Sequence, residues 1–352
     1  MNLHRLIPLL VVLFLTCQLF ARDQTDILVM KNGDRMTCKV KGLDAGVLYV
    51  SFDYIDGTAS VDWSKVARLE SAQLFVVKTE DGSVYTGALK TMENSANRPV
   101  QIQILETPEH TYTTDRSKIV RMVATSDKFW ERFNGEVGFG AIYSKGNQST
   151  QYSLNANTLY VRERWNAGAS FDSNLSSSTG ASATTRNSVA LTAFHLLPPK
   201  NWFYGGVGGF LQSSEQDISL QTLLGGGVGR FVKNTNRATF QLLGGMAWTD
   251  TSYAQTKVPI ANQRAVAALV YANASFFKFS KTSFEANAIL LPALSEPGRI
   301  RIDTNMSYYI KIISDLKWNI SFYGNWDNEP PPGLNGSDYG TSSGLSWTFG
   351  LK

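Results

Sequence analysis

Residues 298–313 read G-R-I-R-I-D-T-N-M-S-Y-Y-I-K-I-I, and their alternation decides the fold. Arg299, Arg301, Asp303, Asn305, Ser307 and Lys311 alternate with Ile300, Ile302, Thr304, Met306, Tyr308, Ile310 and Ile312. That is the period-2 pattern of a β-strand with one polar and one apolar face. After Ser314-Asp315 the alternation resumes, with Leu316, Trp318, Ile320, Phe322 and Trp326 set against Lys317, Asn319, Ser321, Tyr323, Asn325 and Asp327. Such strands exceed the ~5–6 residues usual in soluble sheets and meet the ~9–11 that a tilted strand needs to cross a bilayer. The pair reads as a transmembrane hairpin, with apolar and aromatic side chains toward lipid and charge toward water.

Around this hairpin, 134–352 reads as an antiparallel transmembrane β-barrel of about twelve strands. Candidates at 135–144, 152–162, 164–175, 185–197, 201–213, 219–233, 237–250, 264–279 and 281–293 precede it, and 338–351 follows it. An even strand number suits bacterial outer-membrane barrels. The connections alternate in length. Glu163-Arg164, Pro198-Pro199-Lys200, Asn234-Thr235-Asn236, Ser280-Lys281 and Ser314-Asp315 are tight, whereas 176–184, 251–263 and 328–337 are long and polar or proline-rich. Short turns belong to the periplasmic end of such barrels and long loops to the outer end. Trp165, Trp202, Tyr204, Trp248, Trp326 and Trp347 lie near strand ends, where interfacial aromatic girdles form.

The N-terminal residues 1–21 read as a secretory signal: His4 and Arg5, an apolar core over 6–15, then Gln18-Leu19-Phe20-Ala21. A lipidated Cys17 is disfavoured, because Phe14-Leu15-Thr16 is a poor approach to one. Past this segment no run of ~18 apolar residues occurs, which excludes a helical membrane protein. The net charge of +4 comes without any Lys/Arg cluster, so nucleic acid is not an expected partner. With Cys17 removed, Cys38 is the one thiol left, and stability must come from closed sheets rather than cross-links.

Residues 22–126 hold a duplicated module, joined to the barrel by a linker at 127–133. Asn32-Gly33-Asp34 and Asp81-Gly82-Ser83 are matching hairpin signals. Trp63-Ser64-Lys65-Val66-Ala67-Arg68-Leu69 aligns with Arg116-Ser117-Lys118-Ile119-Val120-Arg121-Met122. Short strands with a helical turn at Ser-Lys-Val/Ile resemble SH3-like or Sm-like small barrels, so the fold class is all-β: two small barrels ahead of the large one. Ser64/Lys65 and Ser117/Lys118 are expected as capping and solvated turn positions. The alternation of turn lengths places this module in the periplasm.

Near the chain end, Ser342-Ser343-Gly344-Leu345-Ser346-Trp347-Thr348-Phe349 resembles the signal by which outer-membrane barrels reach their assembly machinery, although Gly350-Leu351-Lys352 follows the aromatic. The segment Gly138-Phe139-Gly140, then Ser144-Lys145-Gly146-Asn147-Gln148-Ser149-Thr150 and Tyr152-Ser153-Leu154-Asn155, resembles the opening of the salt-induced outer-membrane protein (YdiY-like) family. This resemblance covers about 134–352. It implies a barrel in the outer membrane of a Gram-negative bacterium and supplies no catalytic residues.

No chemistry competes with this reading. A lipid hydrolase would need a serine beside a histidine base, and the barrel's one histidine, His195, sits near a rim without a His-x-Ser motif. Two distant histidines and one thiol make no zinc site, and no ligand-spaced loop for calcium is present. No catalytic, cofactor or metal residue is therefore assigned, and the chain is not read as an enzyme. The lumen remains. Arg299, Arg301, Asp303, Lys311 and Lys317 fall on its inner face, with Arg164, Asp172 and Glu285 as further candidates. Charge lining a water-filled barrel sets solute or ion selectivity, so a narrow pore is expected. The alternatives are a lumen plugged by salt bridges, or a barrel that anchors the duplicated module as a binder of a periplasmic protein or peptidoglycan. The remaining expected partners are outer-membrane lipid and, during insertion, the barrel assembly machinery.

Overall fold

A computed structural model describes residues 25–92, 99–107, 110–125, 133–144, 149–162, 164–180, 182–254, 260–278, 281–313 and 315–349. The expected signal segment, nearly all of the linker, the Ser-Lys-Gly-Asn loop after Ser144 and the last three residues lie outside these.

The N-terminal domain is built from β1 (Asp26–Met30), β2 (Arg35–Asp44), β3 (Val47–Phe52), β4 (Ile55–Asp62), β5 (Val66–Thr79), β6 (Val84–Thr91), β7 (Gln101–Leu105), β8 (Thr111–Asp115) and β9 (Ile119–Ala124). The duplication extends to individual hydrogen bonds. Met30 N donates to Asp34 O at 2.8 Å, and Thr79 N to Ser83 O at 3.0 Å. Lys31 N donates to Lys65 O at 2.8 Å, and Glu80 N to Lys118 O at 2.9 Å. Each closing strand follows a single 3-10 turn, Trp63–Lys65 or Arg116–Lys118. Each also carries a bulge at the equivalent place, between Val29 and Met30 or between Lys78 and Thr79.

The two repeats do not close separately: β1, β2, β9 and β5 pair in a ring, one small four-stranded barrel drawn from both. The first half of β5 ends one repeat against β1, and its second half opens the next against β6 and β9. β9 returns to pair with β2 through Gly42–Val123 and Leu43–Met122. One sheet of nine strands results, and Leu28, Leu48, Trp63, Phe75, Ile102, Ile104 and Met122 share one core. A unit of ~50 residues buries too little apolar surface to stand easily alone, and merging the two doubles the core. Trp63 ties the halves together, its indole Nε1 donating to Arg116 O at 2.9 Å while Arg116 Nη1 donates back to Ser64 O at 2.8 Å.

The second unit is a closed barrel of twelve antiparallel strands. They are β10 (Phe133–Ser144), β11 (Ser149–Val161), β12 (Trp165–Ser177), β13 (Thr184–Leu197), β14 (Trp202–Ser213), β15 (Ile218–Asn234), β16 (Ala238–Tyr253), β17 (Gln263–Lys278), β18 (Thr282–Pro292), β19 (Ile300–Ile313), β20 (Leu316–Asp327) and β21 (Ser337–Phe349). The all-β class and the twelve strands match the sequence expectation. Val137, Phe139, Leu154, Leu224, Val228, Val270, Phe276, Tyr308, Ile320 and Leu345 point outward and are exposed, an apolar band suited to lipid. Trp165, Trp202, Tyr204 and Trp347 ring the short-turn end and Trp326 marks the other. His195 belongs to this girdle: its ring lies 4.7 Å from Trp165 and 5.0 Å from Tyr204, centroid to centroid. No described helix is long and apolar enough to cross a membrane. The crossing is made by strands, and the barrel is of the outer-membrane type.

The small domain sits on the short-turn end of the barrel. Lys200 and Asn201, in the β13–β14 turn at φ of 85° and 61°, present donors to it. Lys200 N donates to Asp81 O at 2.9 Å, and Asn201 Nδ2 to Glu80 O at 2.6 Å. Lys311 Nζ donates to Ser60 Oγ at 3.2 Å. Lys78 lies 4.4 Å from the centroid of the Phe231 ring.

Because both repeats share Trp63, Trp63→Ala should cost about 3–5 kcal/mol and unfold the whole small domain rather than its first half. Hydrogen exchange on the full chain checks this: protection should fall together in β1–β4 and β6–β9 and persist in the barrel.

Candidate functional site

The lumen is divided along its length. Under the long loops, Arg299 and Arg301 converge on one carboxylate. Arg299 Nη2 donates to Asp327 Oδ2 at 2.6 Å, its Nη1 to Glu296 Oε2 at 2.6 Å and to Gln263 Oε1 at 2.9 Å, and Arg301 Nε to Asp327 Oδ2 at 3.3 Å. Tyr253 OH adds a bond to the same Gln263 oxygen at 2.8 Å. Leu334 of the β20–β21 loop folds over Leu211, Ile218 and Tyr253. The two arginines are thus neutralised parts of a buried seal rather than open cations.

Below the seal, Arg186 of β13 reaches across the barrel. Its Nη2 donates to Asn325 Oδ1 at 2.5 Å, its Nε lies 3.7 Å from Asp338 Oδ2, and its guanidinium stands 4.2 Å from the Tyr323 ring centroid. Asn325 Nδ2 in turn donates to Asp303, and Ser213 Oγ donates to Asp338 Oδ2 at 2.6 Å. A charge this far from water needs both an ion partner and filled hydrogen-bonding positions, and these strands supply them.

Two cavities meet at this crossing. A vestibule of about 410 Å³ lies on the outer side, lined by Gln151, Asn174, Arg186, Glu215, Tyr323 and Asp338 among others. A chamber of about 430 Å³ lies on the inner side, and Asn174, Arg186, Tyr323 and Ser342 line both. The chamber wall carries Asn155, Asn157, Asp172, Asn273, Glu285, Asn287 and Asn305, and its floor is Asp44, Tyr49 and Arg121 of the small domain. From the chamber a side pocket of about 130 Å³ runs between the small domain and the barrel rim, past Thr58, Ser60, Lys281, Lys311 and Asp315. The other wall differs. Phe194, Leu196, Phe203, Leu223, Leu243, Leu269, Tyr271 and Leu291 pack inside the barrel as an apolar cluster.

The residues read from sequence as lumen-lining therefore have separate places. Arg299 and Arg301 close the outer end, and Asp303 supports the Arg186 crossing. Lys317 is in the chamber, paired to Glu136 Oε2 at 3.3 Å with its ammonium 5.1 Å from the Tyr309 ring centroid. Lys311 is at the rim against the small domain. Asp172 and Glu285 line the chamber. Arg164 does not belong with them: β12 starts at Trp165, which leaves Arg164 exposed in the preceding turn. Reading the sequence missed Arg186, Tyr323, Asn325 and Asp338 as a unit, together with Glu136 and Tyr309. Their shared signal is parity, because each falls on the inward phase of its strand.

At the seat of the small domain, burial lowers the Lys78 ammonium to about 8, and Arg121 adds repulsion. Unfolded, the same lysine titrates near its ordinary 10.5. Between these values the unfolded chain binds more protons, so the folded, seated domain gains stability as pH rises. Its unfolding midpoint in the full chain should increase from pH 7.5 to 9.5. In Lys78→Met that increase should vanish, as scanning calorimetry at the two pH values would report.

A second expectation concerns the crossing. Arg186→Met leaves Asp338 buried without its cation and should destabilise the barrel by about 3–5 kcal/mol. Arg186→Met/Asp338→Asn should recover part of that loss. Urea unfolding from micelles measures both.

No curated protein matches the chain at a significant level. Among solved structures, the NanC porin in a rhombohedral crystal form aligns over 62% of this chain and 99% of its own, at 11% identity and a TM-score of 0.38. A porin refined at 1.8 Å resolution aligns over 78% and 98%, at 10% identity and a TM-score of 0.27. A FadL homologue from Pseudomonas aeruginosa aligns over 93% and 87%, at 10% identity and a TM-score of 0.27. Likenesses this distant say nothing about what this barrel carries. Residues 137–349 match the family described as a protein of unknown function, DUF481, and the chain belongs to that family.

Proposed function

We propose that this protein is a narrow, gated conduit for small polar solutes or ions across the outer membrane, with its small domain seated on the periplasmic mouth. The observation that carries the proposal is the pair of polar cavities meeting at Arg186 and Tyr323. An interior filled throughout by side chains would leave no such spaces, and an open porin would have no crossing between them. The apolar cluster on β13–β18 removes one side of the cross-section. Passage is confined to the wall carrying Asn155, Asp172, Glu285 and Asn305. The side pocket beneath Lys281 and Lys311 is the exit when the domain is seated. The barrel works without catalysis in this reading, and insertion depends on the assembly machinery. The closer kinship to a salt-induced, YdiY-like branch is part of the same proposal.

A second reading is favoured by the edges of the small domain. β4 and β8 end the nine-stranded sheet, each pairing on one side, and Tyr54 and Ile55 beside β3 are exposed. Such edges bind extended segments by strand addition, which suits a periplasmic protein partner, with the barrel as anchor.

Planar-bilayer recording on the full chain separates the two. The conduit predicts a small conductance that increases in Tyr323→Ala and falls when a disulfide between Asp81→Cys and Lys200→Cys locks the domain to the rim, with recovery on reduction. A correctly folded, silent barrel in all three states would leave the anchor reading standing.

A further inference from the structure

The seam that closes the barrel is incomplete. β10 pairs with β11 along its whole length, from Phe133–Tyr160 to Ser144–Ser149, but pairs with β21 only from Gly135–Phe349 to Phe139–Leu345. Continuing the same register would set Gly140 against Gly344 and Ser144 against Gly340. Among the described residues no pairing forms there. At the foot of this stretch a Cβ on Gly140 would run into the carbonyl oxygen of Ser343, and one on Gly344 into that of Phe139. The chains touch at the two glycines and pair no further.

The open stretch lies at lipid depth. Thr341 and Ser343 are in register with Phe322 and Ile320 of β20, below the rim residue Trp326, which pairs with Ser337. At about 3.4 Å per residue it runs roughly 15 Å along the strands. In hydrocarbon an unpaired backbone N–H or C=O costs several kcal/mol, so two facing edges persist only where water or a polar ligand reaches them. The vestibule lies directly behind. Its lining joins inward Asn174, Arg186 and Asp338 to Ile142, Tyr152 and Tyr339 at the lip, three residues that are exposed.

We infer that this seam is a lateral portal through which an amphipathic molecule moves between the outer leaflet and the vestibule, its polar head passing between the strand edges, whose free groups it and water satisfy, and its apolar chain trailing into the leaflet. Arg186 is matched by Asp338, and Glu215 also lines the vestibule. That balance suits an uncharged or zwitterionic head and disfavours an anionic one. The portal goes beyond the conduit, because it uses only the vestibule and the seam and needs no passage past Tyr323.

The test uses the full chain in nanodiscs with lysophosphatidylcholine carrying a diazirine at the glycerol end of its acyl chain, next to the head, irradiated and mapped by peptide mass spectrometry. Inward Gln151 and Asn174 should be labelled along with outward Phe139. In an Ile142→Cys/Ser342→Cys variant, with Cys17→Ser and Cys38→Ala, oxidation should zip the seam. Inward label should then be lost and label on Phe139 kept, with reduction restoring the inward label. Thr341→Trp, which fills the gap from the lipid side without cross-linking, should show the same loss. Axial conductance should survive zipping, which keeps this test separate from that of the conduit. Labelling confined to outward residues in the native protein would overturn the portal. So would inward label that survives both the disulfide and Thr341→Trp, since the probe would then be entering from the aqueous side.

Discussion

A backbone N–H or C=O without a partner is costly in hydrocarbon, and most of this molecule follows from that penalty. A spanning sheet can have no exposed edge, so twelve strands close on themselves. Closure fixes parity, and the described strand side chains of the barrel face alternately lipid and lumen. Lipid parity collects Phe139, Leu154, Val228 and Ile320; lumen parity collects the polar network and, on one wall, an apolar cluster. The stretch where β10 and β21 stop pairing departs from the same rule, and it does so beside a polar cavity that can satisfy the freed groups.

Inside the barrel the governing cost is different. Charges removed from water need partners on every side, and the two crossings meet that demand in different ways. Asp327 serves two guanidinium groups at once, with Glu296 and Gln263 completing Arg299. Arg186 has one carboxylate at 3.7 Å and an amide, and its flat face rests on Tyr323. The first arrangement is saturated and rigid. The second leaves one face of the cation against an aromatic ring instead of a carboxylate. The apolar cluster opposite, from Phe194 to Leu291, narrows the lumen without adding groups that need partners.

The barrel was legible in the sequence because β19 and β20 alternate without a break, and because tight and long connections alternate around them. The site was less so. Arg186 meets Asn325 across 139 positions and Lys317 meets Glu136 across 181. Parity marks such residues as inward but cannot say which inward residue of one strand faces which of another. Arg164 was placed wrongly for a local reason, since a charged pair at a turn reads equally well as the end of either strand. The repeat alignment of Val66–Leu69 with Ile119–Met122 identified equivalent strands. It carried no information on whether each closes its own sheet or crosses to its neighbour's. That depends on how much core a unit of ~50 residues can bury alone.

The duplication leaves one asymmetry. The two hairpin tips have matching hydrogen bonds and matching left-handed glycines, at φ of 94° for Gly33 and 85° for Gly82. A Cβ on Gly33 would meet nothing within 4 Å, whereas one on Gly82 would strike the backbone and side chain of Asn201. Both repeats touch the barrel, but only one hairpin tip is seated on it, and the tip of the other is free. The seat includes polar bonds from Lys200, Asn201 and Lys311, each with a net value of about 1 kcal/mol, and the Lys78–Phe231 contact. The Asn32-Gly33-Asp34 tip, built like the seated one and carried on the same core, stands clear of the barrel.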